Sequence, residues 1–320
     1  MLKNYSPKVS VVIPAYNRTE TICGCLDSVL NQTFEPWEVI VVDDCSSDST
    51  ADVVRSKADP RIRMIILKEN SGAQAARNRG IKEAKGDWIA FQDSDDEWDP
   101  KKLEYQVDAL RKVNFDHMTV IHTNCWRYDH LTGQNYICNL PHINGKNVIA
   151  KTLTSPGPMF PSLLTSKIAL EKIGLLDENV PSYQEWDTAI RLAKICQFIH
   201  IQEPLFTYHL HMGDTISKDR MRDVDGYQYI VDKFKDDIIS VCGEGTYNRH
   251  IVINAAKALK WNLFVRALDI INKCIRKDFT YHSIRFFSLL KMPGFYVNFD
   301  KLLNLIRRIK RKVNRRVTNG

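Results

Sequence analysis

The sequence predicts an α/β fold in which helices flank a mostly parallel β-sheet, followed by a helical extension at the C-terminal end. Segments 9–14 and 38–44 are apolar without alternation, as expected for strands covered on both faces. Between them, apolar residues recur at helical spacing. Strands that alternate with short helices favour a right-handed, Rossmann-like doubly wound sheet.

The elements of the first half keep this alternating rhythm. In chain order they are a strand at 9–14, a helix at 22–30, a strand at 38–44, a helix at 49–57, a strand at 62–67, a helix at 73–84 and a strand at 88–91. Asp99-Pro100 then predicts the start of another helix, because proline is favoured in the first helical turn.

The pattern changes from about residue 117. Segments 117–129 and 134–138 flank a Thr132-Gly133 turn and predict a β-hairpin. A proline-rich loop at 155–161, helices near 167–173 and 184–194 and an extended segment at 205–211 follow. Only helical patterns come later, at 227–240, 247–261, 263–275, 283–290 and 302–317. We therefore predict a domain at 1–218, with halves 1–115 and 116–218, and a helical region at 219–320.

Composition places the chain among globular proteins. Its 320 residues are 44% apolar and 26% charged, enough for one large domain with an appendage. No apolar run approaches membrane-spanning length and no signal-peptide core is visible, so we expect a cytoplasmic protein. The eight cysteines are then expected to be reduced and to act as small apolar residues.

The net charge of +7 is concentrated at the C-terminal end. Residues 301–320 carry eight Lys or Arg and no acid, which makes that segment +8 and the remainder −1. An apolar stripe along the predicted helix runs from Leu302 to Val317. This pattern favours contact with an anionic membrane surface through 301–317. Nucleic-acid binding and packing onto the protein itself or a second subunit are the alternatives.

Polar clusters follow three of the predicted strands. They span 14–18, 43–47 and 93–96. In open α/β sheets, ligands bind beyond the carboxyl ends of the strands. The sequence therefore predicts one crevice into which these clusters converge.

The third cluster gathers five carboxylates between residues 93 and 99. Two carboxylates about 6 Å apart repel by roughly 3 kcal/mol, so a positive partner is expected. Asp93 and Asp95 project to the same side of an extended segment, and oxygen ligands suit Mg²⁺ or Mn²⁺. The alternative is a solvated turn in which Asp96 and Asp99 cap the next helix.

The other clusters fit a nucleotide. Asp44 can accept hydrogen bonds from a base or ribose, and Tyr16 can stack on a base. Alternatively, Asp43 and Asp44 build the turn at 46–47 or cap the next helix. Arg77 follows Gly72 on a helix from which a guanidinium can reach a pyrophosphate, although such residues often lie on a solvated face.

Three segments carry a resemblance to a known family: VSVVIPAYNR (9–18), EVIVVDDCSSDST (38–50) and ENSGAQAARNRGIKEAKGDWIAFQDSDDEWDP (69–100). In order and spacing they resemble the inverting family 2 glycosyltransferases with the GT-A fold, over about residues 8–215. The resemblance implies a nucleotide-diphosphate sugar donor, expected to be a UDP-sugar, together with Mn²⁺ or Mg²⁺.

The resemblance also implies roles for individual residues. Pro14, Tyr16 and Asp44 match the base and ribose pocket, Asp93 reaches the ribose or metal, and Asp95 is the metal-binding carboxylate. The other donor-side positions are Ala15, Arg18, Gly72, Arg77 and Ser94. Secondary candidates are Asp43, Asp96, Asp187 and Arg191.

The family's catalytic base is the last residue of a Glu-Asp pair. Gln184-Glu185 occupies that place, so Glu185 is the predicted base and Asp187 its competitor. On the residues alone, the preferred interpretation is that both are first-turn acids favoured by the helix dipole.

Segment 207–217 resembles the family segment that closes over the diphosphate. His211 matches a histidine that completes the metal sphere, whereas His209 stands where arginine is common. Trp186 and the loop 155–162 are expected to border the acceptor site.

These features predict an inverting glycosyltransferase that adds a sugar to a surface polysaccharide or a lipid-linked oligosaccharide at the inner face of the cell membrane. The first alternative is a non-catalytic nucleic-acid-binding or interaction protein that uses the basic tail. The second is a phosphoacceptor switch, which would leave the cluster at Asp93 unexplained.

Overall fold

The computed structural model describes residues 6–210, 219–294 and 296–297. The chain divides into two compact units, 1–214 and 215–320. His211 and the basic segment 301–317 lie outside the described residues, so the predictions made for them have no structural counterpart here.

The first unit begins with the alternating elements that the sequence predicts. Four strands lie in the order β3-β2-β1-β4 and pair in parallel. They are β1 (Val9–Ala15), β2 (Glu38–Asp43), β3 (Ile62–Ile66) and β4 (Trp88–Phe91), and the helices between them are α1 (Ile22–Leu30), α2 (Thr50–Ser56) and α3 (Ala73–Glu83).

The sheet is covered on both faces. Val11 and Ile13 of β1 belong to one buried cluster, and Val12 belongs to another on the opposite face. Burying each such side chain stabilises the fold by about 1.5–3 kcal/mol. Gly80 lets α3 approach β1 closely, because a Cβ there would lie 2.5 Å from a methyl group of Val12.

The later strands make the sheet mixed. It continues from β4 in the order β8-β6-β9-β5, with β7 paired to β6. These strands are β5 (Glu97–Trp98), β6 (Thr119–Asp129), β7 (Gln134–Cys138), β8 (Leu164–Ser166) and β9 (Gln197–Leu210). β6 and β9 are parallel, whereas β8 runs antiparallel to both β4 and β6.

The α/β class and the hairpin are confirmed. β6 and β7 pair antiparallel around Gly133, whose φ of 66° suits glycine. The sequence analysis missed β5 and β8, because strands of two and three residues are too short to show a period of two. It also began β9 too late, near 205 instead of at Gln197.

The remaining helices of the first unit surround the second half of the sheet. They are α4 (Lys102–Lys112), α5 (Ile149–Thr152), a 3₁₀ turn (Phe160–Ser162), α6 (Lys167–Lys172) and α7 (Gln184–Ala193). Asp99 and Pro100 precede α4 rather than begin it, and Asp99 Oδ1 accepts the Lys101 amide over 2.9 Å.

In its described part, the second unit is helical, as predicted. Its helices are α8 (Arg220–Lys233), α9 (Lys235–Cys242), α10 (Glu244–Lys260), α11 (Phe264–Ile271) and α12 (Phe279–Leu289). The single helix predicted at 227–240 is instead two helices, separated at Phe234. Across the described residues, no helix combines the length and apolarity needed to cross a bilayer.

Candidate active site

The acidic turn 93–96 lies between β4 and β5. The Asp96 amide donates to the Asp93 carbonyl over 3.1 Å, which closes the turn. β4 pairs in parallel with β1, and β1 with β2, so the turn shares an edge of the sheet with the loops after those strands. The three polar clusters therefore meet at one edge.

Arg77 connects the acidic turn with α7. Its Nη2 lies 2.6 Å from Asp93 Oδ1, and its Nη1 donates to Gln74 Oε1 over 3.1 Å and to Gln184 Oε1 over 3.4 Å. The guanidinium also lies 4.3 Å from the centre of the Phe160 ring. Arg77 is buried, so the side chain predicted to reach a pyrophosphate ties two parts of the site together.

Arg18 and Asp95 form the more open pair of the site. Arg18 Nη2 lies 3.5 Å from Asp95 Oδ2, and the two side chains are 29% and 23% exposed. Arg18 Nη1 also donates to the carbonyls of Tyr16 and Asn17, over 3.1 Å each. The pair is thus held in place while an anionic ligand can still approach it.

Asp96 is the buried member of the turn. Its Oδ1 accepts the His209 amide over 3.0 Å, which joins the turn to the end of β9. Burial raises the pKa of the Asp96 carboxyl well above its ordinary value, and the charges of Asp93 and Asp95 raise it further. Neighbouring carboxylates in one turn therefore have different surroundings and suit different tasks.

Asp44 organises the loop that leads into α3. Its Oδ1 accepts the Ser71 amide over 2.7 Å, and its Oδ2 accepts the Gly72 amide over 2.8 Å. Gly72 has a φ of 90°, a conformation that favours glycine. Asp44 is buried, so its contribution to a nucleotide pocket includes fixing the backbone at Gly72.

Asp43 builds the turn after β2, as one of the sequence alternatives proposed. Its Oδ1 accepts hydrogen bonds from both the amide and the hydroxyl of Ser46. The Ser46 hydroxyl in turn accepts the Asn17 amide over 2.9 Å, and Asn17 Oδ1 accepts the Ser47 amide over 2.9 Å. The loops after β1 and β2 are therefore cross-linked before any ligand binds.

The other donor-side positions differ in exposure. Pro14 and Ala15 end β1 and are buried, as is Ser94 in the acidic turn. Tyr16, the next residue after β1, is 44% exposed. The Tyr16 ring is therefore exposed enough to stack on a base. Pro14 and Ala15 can contribute mainly their backbone atoms and the shape of the pocket wall.

The two candidate bases on α7 have opposite surroundings. Glu185 is half-buried, and among the described residues no cation lies within 4.0 Å of its carboxylate. Burial raises the pKa of Glu185, the charge of Asp93 raises it further and Arg77 opposes the shift. Asp187 is fully buried, and its Oδ2 lies 2.6 Å from Arg191 Nη2 and 2.8 Å from Arg191 Nε.

Arg191 has further structural partners. Its Nη1 donates to the carbonyls of Ile173 and Leu175. Together, Asp187 and Arg191 anchor α7 to the end of α6. Both secondary candidates are therefore part of the support for α7.

The start of α7 is held in an uncommon conformation. Tyr183, the residue before the helix, has φ 61° and ψ 33°, which costs a non-glycine residue about 1 kcal/mol or more.

Gly157 packs against the helix, because a Cβ there would lie 2.9 Å from Ala189 Cβ. The loop 155–162 therefore lies beside α7, and its role as a border of the acceptor site stays a prediction.

The prediction for Trp186 is wrong. Its side chain is fully buried, and its Nε1 donates to the Thr152 carbonyl over 2.6 Å. The helical period turns Trp186 towards the interior when Glu185 faces the acidic turn. Trp186 therefore supports the loop from behind and does not border an open acceptor site.

The carboxylate oxygens of the acidic turn suit a hard divalent cation that takes few of its ligands from the protein. Within the described ranges, no group of three or more His, Cys, Asp or Glu side chains has the geometry of a metal site. Mg²⁺ and Mn²⁺ bound with phosphate commonly take only one or two carboxylates from the protein. Asp95, whose side chain is partly exposed, and Asp93 beside it match that requirement.

Sequence reasoning missed several residues that shape this site. Gln184 and Phe160 contact Arg77, and no motif signalled either contact. His130 Nε2 lies 3.0 Å from His209 Nδ1, where β6 and β9 end side by side. Only the parallel pairing of those strands, unknown from sequence, brings the two histidines together.

Comparison with known proteins places this geometry in context. The sequence profile described as Glycosyl transferase family 2 matches residues 10–172. TuaG of Bacillus subtilis (strain 168), named for teichuronic acid biosynthesis, is 46% identical over 111 residues, which cover 34% of this chain and 44% of TuaG. The UDP-Glc:alpha-D-GlcNAc-diphosphoundecaprenol beta-1,3-glucosyltransferase WfgD of Escherichia coli is 44% identical over 110 residues, with 34% and 44% covered. The chain thus matches less than half the length of each relative.

A solved structure shares the fold. The crystal structure of S. aureus TarS 1-349 in complex with UDP-GlcNAc superposes with a TM-score of 0.57 and 16% sequence identity. The match covers 90% of this chain and 89% of that one.

Proposed function

Because this chain belongs to glycosyl transferase family 2, we propose that it transfers a sugar from a UDP-sugar donor to an acceptor hydroxyl with inversion at the anomeric carbon. The observation that carries this proposal is the contact of Arg77 with both Asp93 and Gln184. It brings the acidic turn, which suits a diphosphate, next to the residue that precedes the candidate base.

Glu185 is the proposed general base. Direct displacement forms a bond from the acceptor oxygen to the anomeric carbon, breaks the bond to the diphosphate and releases the acceptor proton. A carboxylate can take that proton, and a raised pKa makes it a better proton acceptor. Asp187 is less suited, because Arg191 occupies its carboxylate.

The donor side has to hold a diphosphate that is doubly charged in the donor and gains a further negative charge as it leaves. We assign Asp95, assisted by Asp93, to Mn²⁺ or Mg²⁺; the bound ion would neutralise charge on the departing diphosphate. His211, which follows Leu210 in the sequence, is a further candidate ligand. Arg18, anchored by two backbone carbonyls, is positioned to approach the phosphates.

The names of the relatives support the acceptor class. WfgD acts on a sugar linked to diphosphoundecaprenol, and TuaG is named for a wall polysaccharide. We assign this chain an acceptor of the same kind, a saccharide carried on a lipid or a growing surface polysaccharide. Work at the inner membrane face, with the cationic segment 301–317 in contact with lipid, follows from that assignment.

A donor screen tests the proposal. The full chain is incubated with Mn²⁺ and a panel of nucleotide sugars, and release of the nucleoside diphosphate is measured with and without a GlcNAc-diphospholipid acceptor. We expect a UDP-sugar to give turnover, with a product anomer opposite to the donor's. Turnover with retained anomeric configuration would refute the mechanism.

Two variants separate the roles of the carboxylates. Asp95→Ala should remove Mn²⁺-dependent UDP binding, detected as a lost thermal shift. Glu185→Gln should keep UDP binding and lose transfer. Equal Mn²⁺-dependent shifts in the Asp95→Ala variant and the unmodified protein would refute the assignment of the metal ligand.

A further inference from the structure

Helix α12 has an apolar face on the side opposite to the one that it buries. Its buried face is formed by residues at helical spacing, namely Tyr281, Ile284 and Ser288. On the other side, Phe286 is 56% exposed, Leu289 60% and Leu290 48%. A surface helix normally turns polar side chains to solvent. Exposed apolar side chains on one face of α12 therefore indicate a binding surface.

The exposed face forms a depression on the surface. It has a volume of about 560 Å³, and its lining includes Ser283, Phe286, Phe287 and Leu289. Phe279, His282 and Arg285 also line it. Contiguous apolar surface with a polar rim is typical of protein or membrane contact sites.

Two exposed cations border the apolar side chains. Two cations earlier in the chain are engaged elsewhere, since Lys273 pairs with Asp232 and Arg276 with Glu244. Asp278 caps α12 by accepting the Tyr281 amide over 3.0 Å. Arg285 and Lys291 are exposed next to the apolar side chains. The sequence then adds eight cations without an acid over 301–320.

We propose that the apolar face of α12 (Phe286, Leu289 and Leu290) docks onto an anionic lipid surface, with Arg285 and Lys291 at the head groups. Apolar and aromatic side chains bordered by Lys and Arg are the combination that holds a helix in a bilayer interface. Each cation near an anionic leaflet strengthens binding.

A second copy of the chain fits the same face less well. In a two-fold dimer, two identical faces would meet, so both copies would bring Arg285 and Lys291 to the interface, and α12 contains no acid that could balance them. A lipid surface supplies the opposite charge. The electrostatics of the rim therefore favour lipid.

This surface extends the proposed membrane contact from 301–317 to a folded helix. The lipid contact rests on the proposed function only for its role in the cell, because lipid binding is measured without the sugar donor or the acceptor. The donor screen and the lipid assay can therefore fail independently.

The test is sedimentation of the full chain with vesicles of phosphatidylcholine alone or mixed with phosphatidylglycerol. The variant Phe286→Gln/Leu289→Gln removes the apolar side chains without changing charge. Its matched control is Ile168→Gln/Ile195→Gln, at two positions of the first unit that are 43% and 42% exposed. Circular dichroism and thermal melting check that each variant is folded.

We expect Phe286→Gln/Leu289→Gln to weaken binding to the mixed vesicles about tenfold or more, and the control to stay within about twofold of the unmodified chain. Arg285→Gln/Lys291→Gln should weaken binding to mixed vesicles by about tenfold and barely affect binding to phosphatidylcholine.

Three results would overturn the proposal. In the first, the unmodified chain does not sediment with the mixed vesicles. In the second, Phe286→Gln/Leu289→Gln binds them normally, while substituting Gln for the cations of 301–317 abolishes binding. In the third, sedimentation velocity shows a dimer that the α12 variant dissociates, which would assign the face to a second copy.

Discussion

The acidic turn 93–96 and the first turn of α7 both bring carboxylates to the site, but their charges are balanced differently. In the turn, Asp93 pairs with Arg77 and Asp95 with Arg18; Arg77 comes from α3 and Arg18 from the loop after β1. On α7, Glu185 has no such partner within the described residues. A carboxylate that pairs with an arginine keeps its charge and suits the binding of a ligand or the fixing of a neighbouring segment. A desolvated carboxylate without an arginine partner suits proton transfer.

The same contrast recurs within α7. Glu185 and Asp187 are two residues apart, yet Asp187 is fully buried and shares two contacts with Arg191. On sequence they compete for one catalytic task. In the structure, Glu185 is half-buried and Asp187 helps to fix the helix.

The largest effect is expected from Glu185→Gln. The amide keeps the shape of the side chain but cannot take a proton, so transfer should fall by about 10²–10⁴-fold. UDP affinity, measured by calorimetry, should stay within about threefold, because donor contacts come from the other loops. Glu171→Gln, an exposed change on α6, is the control, and normal turnover by Glu185→Gln would remove it as the base.

The raised pKa of Glu185 adds a pH prediction. Since the base must be deprotonated, kcat/KM should fall as the pH drops through a value above the ordinary 4.5. This acid limb should be absent from any residual activity of Glu185→Gln. An unchanged limb would show that another group titrates.

Asp187→Asn should act on stability. It leaves the buried guanidinium of Arg191 without its counter-charge, which should lower the free energy of unfolding by about 3 kcal/mol. Urea denaturation measures this loss, and kcat of the folded variant should stay within about tenfold of normal. Lost transfer with unchanged stability would instead make Asp187 the base.

Arg77→Lys tests the link between the turn and α7. A lysine cannot contact Asp93 and Gln184 together as the forked guanidinium does, so kcat/KM should fall about tenfold. Arg79→Lys is the matched control on the same helix, because Arg79 is half-exposed and pairs with Glu83 at i+4. Equal effects of the two changes would contradict a specific bridging contact.

The smallest effect on transfer is expected from a buried histidine that the mechanism does not use. Burial lowers the pKa of His122 from 6.5 to about 3, and His200, stacked on it at 4.2 Å, contributes to the shift. Between about pH 6.5 and 3, the unfolded chain binds a proton that the folded chain does not, so stability falls as the pH falls.

Replacing His122 with Phe should remove about 1.4 kcal/mol per pH unit from the acid dependence of the unfolding free energy. Activity at neutral pH should change little. The control is His282→Phe, at an exposed position of α12, and the slope is measured by urea denaturation between pH 6 and 4. An unchanged slope in His122→Phe would show that this ring does not stay neutral in the folded chain.

Local patterns were sufficient for much of the fold. The buried strands β1, β2 and β4 follow from uninterrupted apolar runs, and the hairpin follows from a turn between two extended segments. The strands β5 and β8 were not predicted, because their extended conformation depends on pairing with neighbouring strands and not on a pattern in their own residues. Position at a strand end likewise predicted that the clusters at 14–18, 43–47 and 93–96 would meet.

The amino-acid sequence alone determined that the polar clusters 14–18, 43–47 and 93–96 reach the site edge, because strand ends are local properties. The tertiary structure decided what each side chain does there. Arg77 and Gln184 touch across 107 residues of chain. Asp187 pairs with Arg191 within α7, at i and i+4, but only the packing of α7 buries that pair, while among the described residues no cation lies within 4.0 Å of the Glu185 carboxylate. Non-local packing therefore separates two carboxylates that the sequence presents as equals.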